Sequence, residues 1–330
     1  MYKTIHDSLN HWYVNHGRHH LPWRGTSDPY AIWISEIMLQ QTQVKTVLER
    51  FYFPFLEAFP TVDDLASASL DDVLKKWEGL GYYTRARNLH AAAIQASLSF
   101  PKNAAEFQRL PGIGRSTAHA IAAFAFQEPL PILDANVKRI LHRFFALKER
   151  DEKKLWEKAY RFFDSSRPFE FNQAMMDLGS MICLPKTPLC DQCPLIEQCK
   201  GKESPLEYPS PKNKLPKRVR TPAILVYTRN DRYALAQRKS RFLSGLWGFY
   251  ESTEPLPSAA EHLGDITQHY SHFTLNASVF EISGDVPSEE FEWFALEEIT
   301  DLSLSRADHK VVELIRYNRK KEKEDTCSGK

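Results

Sequence analysis

The sequence predicts a two-domain protein, an all-α domain over residues 1–200 followed by a smaller α+β domain. Three observations predict it. Apolar residues recur three and four apart through the first 200 residues. Four cysteines, Cys183, Cys190, Cys193 and Cys199, close that stretch in a C-x6-C-x2-C-x5-C run. Beyond residue 220 the texture changes to short β-rich segments. At 330 residues the chain is long enough for two separate cores.

The elements follow in order. MYKTIHDSLNHWYVNHG reads as an amphipathic helix without the apolar centre of a signal peptide. Helical periodicity then marks 31–58, 85–98, 115–126, 135–147 and 168–182, with breaks at Pro60, Gly79–Gly81, Pro111–Gly114 and Pro131. Residues 201–219 hold four prolines and read as a linker, and a basic run, Lys200, Lys202, Lys212, Lys214, Lys217, Arg218 and Arg220 against only Glu203 and Glu207, extends across it. Segments 221–228, 232–238, 272–282 and 291–296 read as strands, and 306–318 as a closing helix before a polar, disordered tail at 319–330.

Composition narrows the function classes. No apolar stretch reaches the roughly 20 residues a membrane helix needs. The net charge of +1 points to no particular partner. Five cysteines, four of them crowded together, suit metal-bound thiolates in a reduced cytoplasmic setting better than disulfides; the fifth, Cys327, lies far off in the polar tail. Four thiolates can enclose zinc or an iron–sulfur cluster, and zinc favours two C-x2-C pairs where this run has one.

Three local patterns carry chemistry. LPGIGRSTAHAI at 110–121 follows a short helix and opens another. Gly112 and Gly114 permit a turn whose N–H groups converge on an anion, as in a helix–hairpin–helix holding a DNA phosphate, or merely a turn between two packed helices. Glu36 stands among Trp33, Ile34, Ile37 and Met38 with Gln40, Gln41 and Gln43 nearby. It either lies on a solvated polar stripe or lines a pocket, where desolvation would raise its pKa into the range of a general acid. Asp134 precedes a helix in an N-cap position that favours a charged carboxylate. One carboxyl pushed towards protonation and one kept ionised is what glycosidic cleavage requires.

These motifs together resemble the endonuclease III superfamily of base-excision DNA glycosylases. SEIMLQQTQV (35–44), GLGYYTRARNLH (79–90), LPGIGRSTAHAI, LDANVKRIL (133–141) and NQAMMDLGSMIC (172–183) are similar to the adenine DNA glycosylases of the MutY type. The resemblance implies an all-α glycosylase domain with its helix–hairpin–helix at about 104–126 and a 4Fe–4S loop at 183–199. It implies that Glu36 and Asp134 are the catalytic acids, with Ser116 and Asn136 in support. Arg24 and Leu39 would border the adenine, while Gln41 and Tyr82 are candidates to enter the base stack. Tyr82 equally suits a core position, since Tyr83 adjoins it. Gly112, Gly114 and Lys138 would contact phosphate. The substrate implied is double-stranded DNA with adenine opposite 8-oxoguanine or guanine, bound by a monomer. Ser116 stands where endonuclease III-type enzymes carry a lysine, so the resemblance implies a monofunctional enzyme that leaves an abasic site.

Residues 220–318 resemble the Nudix-like C-terminal domain of the same family through RTPAILVY, LAQR, SGLWGFYE and YSHFTL. Ser271 and His272 map onto its 8-oxoguanine loop, with Tyr270 in place of phenylalanine. The REx2E core of the Nudix hydrolases is absent, and the corresponding stretch offers EHLGD.

Overall fold

A computed structural model describes residues 2–211, 216–240, 242–286, 288 and 290–328. Among the described residues twelve α-helices precede the sheet: α1 (Lys3–His16), α2 (Pro29–Met38), α3 (Val44–Arg50), α4 (Tyr52–Ala58), α5 (Val62–Ser67), α6 (Leu70–Lys76), α7 (Thr84–Leu98), α8 (Ala104–Phe107), α9 (Arg115–Phe126), α10 (Ala135–Phe144), α11 (Glu152–Phe162) and α12 (Pro168–Met181). The apolar periodicity at 31–58 thus yields three helices. The chain turns between the first two at Gln41, which has φ +58. Asp28 caps α2 by accepting from the Tyr30 and Ala31 N–H groups, and Pro29 sits at its first position.

The chain divides into two compact units, Met1–Ala66 with Ala91–Lys214, and Ser67–His90 with Leu215–Lys330. The expected boundary near residue 200 therefore misses that Ser67–His90 groups with the C-terminal residues. The core of the helical unit gathers Leu9, Leu141, Phe144, Phe162 and Leu178 from α1, α10, α11 and α12. α1 and α10 both pack on α12, whose apolar stripe faces them.

Among the described residues of the second unit eight strands form one sheet: β1 (Arg218–Arg220), β2 (Ala223–Arg229), β3 (Arg232–Gln237), β4 (Trp247–Gly248), β5 (Tyr250–Ser252), β6 (Glu261–His269), β7 (Phe273–Ser283) and β8 (Glu292–Ala295). β7 runs parallel to β1 and β2 and antiparallel to β6, while β3 pairs antiparallel with β2, β4 and β8. Val226, Leu235 and Val279 meet Val311 and Ile315 of α13 (Arg306–Ser328) over one sheet face. Asp308 at the start of α13 holds the Arg238 guanidinium by two bonds of 2.8 and 2.9 Å. Gly248 makes room for that pair, since a Cβ there would lie 1.9 Å from Arg238 Nη1.

Several expectations need correction. α13 extends to Ser328 and takes up most of the tail expected to be disordered, because its apolar residues anchor a helix that charged i,i+4 neighbours such as Lys320 and Glu324 then prolong. Part of the expected linker is bound to the helical unit: the Gly201 N–H donates to the Arg143 carbonyl, Arg143 Nε to the Pro205 carbonyl, and the Ser210 N–H to the Lys148 carbonyl. Its C-terminal end, 218–220, is strand β1. Lys212 and Lys214 lie outside the described residues, as does the Cys327 side chain. EHLGD is the start of β6, and residues 253–260 before it carry no helix. Four strands, β1, β4, β5 and β6, escaped the sequence reading, being very short or, in β6, mostly polar.

Candidate active site

Asp134 closes the segment 130–134, whose path is fixed from both sides. Asn172 of α12 donates to the Leu130 carbonyl at 2.9 Å and accepts from the Ile132 N–H at 3.0 Å. His119 Nδ1 of α9 meets the Pro131 carbonyl at 2.8 Å, and Ser116 Oγ accepts from the Leu133 N–H at 3.1 Å. Asn172 and His119 are buried, and the sequence reading assigned neither a role. Their periodicity on apolar faces marks them as core; only burial of a side chain able to bond backbone reveals the clamp.

The clamp delivers Asp134 to the N-cap of α10. Its Oδ1 accepts from the Val137 N–H at 2.7 Å and its Oδ2 from the Asn136 amide at 3.2 Å. Asn136 in turn accepts from Arg139 at 2.8 Å. Burial pushes the Asp134 carboxyl up, against the opposing pull of these bonds, so the cap does not hold it below the usual carboxylate range as expected.

Glu36, on the one half-open position of an otherwise buried stretch of α2, faces Asp134. Its carboxyl is pushed up to about 7, first by burial, then by the negative charge of Asp134, with Arg24 pulling the other way. The solvated stripe is therefore not its environment. Of the two acids the proton belongs on Glu36, because Asp134 accepts the N–H bonds that favour its charge.

Arg24 is pinned by a residue the sequence reading passed over. Asp177 of α12 is fully buried, and its carboxylate takes both Arg24 Nη atoms at 2.7 and 2.8 Å and Arg18 Nε at 2.7 Å. An aspartate in the apolar NQAMMDLG helix is itself the signal, because a buried carboxylate requires cations. Leu39 caps the C-terminal end of α2, and Gln41 beyond it is exposed. Arg24, Glu36, Asp134, Asn136 and Ser116 thus share one site.

Gly112 has φ +76 and requires glycine, whereas Gly114, at φ −82, does not. Gly114 instead leaves open space, with nothing within 4 Å of where a Cβ would stand, at the N-terminus of α9. Lys138 pairs with Glu152 at 2.9 Å. Of the two adjoining tyrosines, Tyr83 is buried and Tyr82 is 45% exposed with φ +52. The β6–β7 turn presents Ser271 and His272 to solvent, bonded to one another at 3.2 Å, while Tyr270 turns inward against Phe242 and Phe273.

The four cysteines are free thiols, three of them packed against the α10–α12 core. Burial first, and then the neighbouring cysteines, push Cys190 and Cys199 up and Cys193 up to about 12. Arg143, buried, points Nη1 at Cys183 Sγ at 3.3 Å. Four clustered thiols beside a buried cation form a donor set for a group carrying its own positive charge. Among the described residues no three of His, Cys, Asp or Glu are arranged to hold a single metal ion.

Known proteins resemble this chain in both its helical and its sheet-bearing parts. Residues 34–163 match the HhH-GPD superfamily of base excision DNA repair proteins, and residues 223–314 match the NUDIX domain. The adenine DNA glycosylase of Buchnera aphidicola subsp. Baizongia pistaciae is 45% identical over 207 residues, covering 61% of this chain and 58% of that protein. That of the subspecies Acyrthosiphon pisum is 32% identical over 341 residues, covering 93% and 96%. The solved structure of a thermostable thymine-DNA glycosylase superposes with a TM-score of 0.56 at 28% identity, covering 61% of this chain and 96% of that one.

Proposed function

The chain belongs to the adenine DNA glycosylases of the HhH-GPD superfamily, and on that footing we propose that it hydrolyses the N-glycosidic bond of adenine mispaired with 8-oxoguanine or guanine in double-stranded DNA. The observation that carries this is the half-buried Glu36–Asp134 pair, with one carboxyl pushed to about 7 beside another held by an N-cap.

Adenine leaves poorly as an anion. The target nucleotide is extruded from the stack, and Glu36 protonates N7. The sugar develops oxocarbenium character, which the Asp134 carboxylate stabilises or traps until water completes hydrolysis. Asn136 and Ser116 keep Asp134 aimed. Arg24, immobilised by Asp177, and Leu39 border the adenine, and Gln41 and Tyr82 fill the vacated stack. Gly112 and Gly114 offer backbone N–H groups to a phosphate, with Lys138 a second phosphate contact once it leaves Glu152. Ser116 has no amine, which supports a monofunctional reaction ending at an abasic site.

Cys183, Cys190, Cys193 and Cys199 would hold a 4Fe–4S cluster, whose positive iron offsets four thiolates and orders the loop. The C-terminal unit reads the opposite base through Ser271 and His272. The protein works as a monomer in the cytoplasm, on the nucleoid in a bacterium. Incubating it with duplexes carrying adenine opposite 8-oxoguanine, guanine or thymine, or an oxidised pyrimidine, tests the proposal. Alkali-labile sites should form at adenine in the first two; cleavage confined to the oxidised pyrimidine would overturn it.

A further inference from the structure

The segment bearing Tyr82 is built onto the C-terminal residues. Lys75 Nζ donates to the carbonyls of Thr300 at 2.6 Å and Leu302 at 3.1 Å, and to Glu78 Oε2 at 3.1 Å. Glu78 Oε1 accepts from the Leu304 N–H at 3.0 Å and meets His309 Nε2 at 2.5 Å. Tyr83 Oη accepts from the Gly79 N–H at 3.3 Å and lies 3.4 Å from the Leu304 carbonyl, to which it donates. Asp71 and Arg87 add bonds to Gln237 and to the Ser244 carbonyl, each at 2.8 Å.

Between Glu78 and Tyr83 the chain makes a turn with three positive φ angles: +91 at Gly79, +78 at Gly81 and +52 at Tyr82. Such a conformation is unfavourable for tyrosine and persists only where its surroundings over-determine it. Here both ends of the turn are tied to one residue, since Glu78 holds the N–H of Leu304 and Tyr83 its carbonyl. The direction of the exposed Tyr82 ring is therefore set by the backbone entering α13.

We propose that Lys75, Glu78 and Tyr83 are positioning residues through which the C-terminal unit sets the Tyr82 side chain for entry into DNA. Recognition of the opposite base and distortion of the duplex are then one coupled event. This rests on the roles proposed above for Tyr82 and for Ser271 with His272. A ligand that shifts the β-sheet unit moves Leu304 and with it the two anchors of the turn, whose Gly81 carbonyl also accepts from Trp77 Nε1 and Arg85 Nη2, each at 3.1 Å. The coupling carries specificity: a wrong opposite base leaves Tyr82 poorly aimed and the adenine unextruded.

The test uses the full-length protein with its cluster and a duplex carrying 2-aminopurine, in place of the target adenine, opposite 8-oxoguanine. Fluorescence reports extrusion, and single-turnover cleavage of the adenine duplex reports chemistry. Glu78→Gln, and independently the near-isosteric Lys75→Met, should reduce both signals about tenfold with unchanged iron content. In a Tyr82→Ala background the same substitutions should add less than about twofold, because residues acting through one side chain are not additive. Full additivity with Tyr82→Ala overturns the proposal, since a general loss of stability would add. Amide hydrogen exchange of Leu80–Tyr83 judges the anchors without DNA: faster exchange in Glu78→Gln supports them, and unchanged exchange overturns them. Failure of the wild type to release adenine, with exchange at the turn accelerated in the variant, would sink the proposed activity and leave the anchoring intact.

Discussion

Gly179 of α12 lies so close to Asn136 of α10 that a Cβ added to it would stand 2.5 Å from Asn136 Cβ. Glycine at this crossing lets Asn136 sit beside Asp134 and donate to it at 3.2 Å. Gly179→Ala should therefore push Asn136 off Asp134. We expect destabilisation of about 1–3 kcal/mol by chemical denaturation, as for other overpacked contacts. Single-turnover cleavage should also fall about tenfold at a temperature where the protein is still folded. Destabilisation without loss of rate would show that Asn136 does not steer Asp134.

The two acids should fail without loss of DNA binding. Glu36→Gln keeps shape and cannot supply a proton, while Asp134→Asn keeps an oxygen for the Val137 N–H and loses its charge. Each should lower single-turnover cleavage by at least ~100-fold, with duplex affinity close to wild type. Near-normal cleavage by either variant removes that residue from the mechanism.

The raised pKa of Glu36 gives a pH dependence of definite sign. The acid form is needed, so single-turnover cleavage should decline as pH rises through about 7, and Glu36→Gln should abolish that limb. The folded chain holds a proton on Glu36 that the unfolded chain releases above the ordinary glutamate value of 4.5. Stability from this group is thus fully present below that value and falls as pH rises through about 7. A rate that is flat across that range would show that another group supplies the proton.

The part of the candidate site legible in the sequence is the part whose motifs join a residue type to a local geometry. Asp134 before an apolar helix face reads as a cap, and it is one. Glu36 was ambiguous, since a single helix cannot reveal what packs over its one half-open position. Asp177 left one signal, a lone aspartate in an apolar helix, whereas the roles of His119 and Asn172 were hidden because their partners are backbone groups of the 130–134 segment outside their own helices. The grouping of Ser67–His90 with the C-terminal unit was equally hidden, resting on side-chain bonds to backbone more than 200 residues away, such as Lys75 to Thr300. Removing the C-terminal unit would therefore strip Glu78 and Tyr83 of their partners, and point substitutions make the sounder test.

The cysteine loop should bind iron. Purified protein should be brown, with about four irons per chain. Cys190→Ser should lose the colour and weaken DNA binding, whereas Cys327→Ser should change neither. Stoichiometric zinc in protein made with ample iron would overturn the assignment.

Strand scission should require alkali or heat. Ser116 offers no amine and is engaged with the Leu133 N–H, and Lys138 is held by Glu152. Borohydride should trap little protein on an abasic duplex. An efficient adduct that disappears in Lys138→Ala would make that lysine a lyase nucleophile.

Discrimination against ordinary A·T pairs cannot come from the adenine pocket alone, since extruded adenine is the same from either pair. On the proposed function the opposite base is read, and 8-oxoguanine differs from guanine by a donor at N7 and a carbonyl at C8. Ser271 can accept from that N7–H, and His272, bonded to it at 3.2 Å, orients the hydroxyl. One such bond is worth on the order of 1 kcal/mol, or about fivefold. Ser271→Ala should thus reduce the preference for 8-oxoguanine over guanine by about that factor, measured as the ratio of single-turnover rates, and leave cleavage opposite guanine nearly unchanged. His272→Ala should shift the same ratio less, because it acts through Ser271. A ratio untouched by both substitutions would move recognition away from the β6–β7 turn.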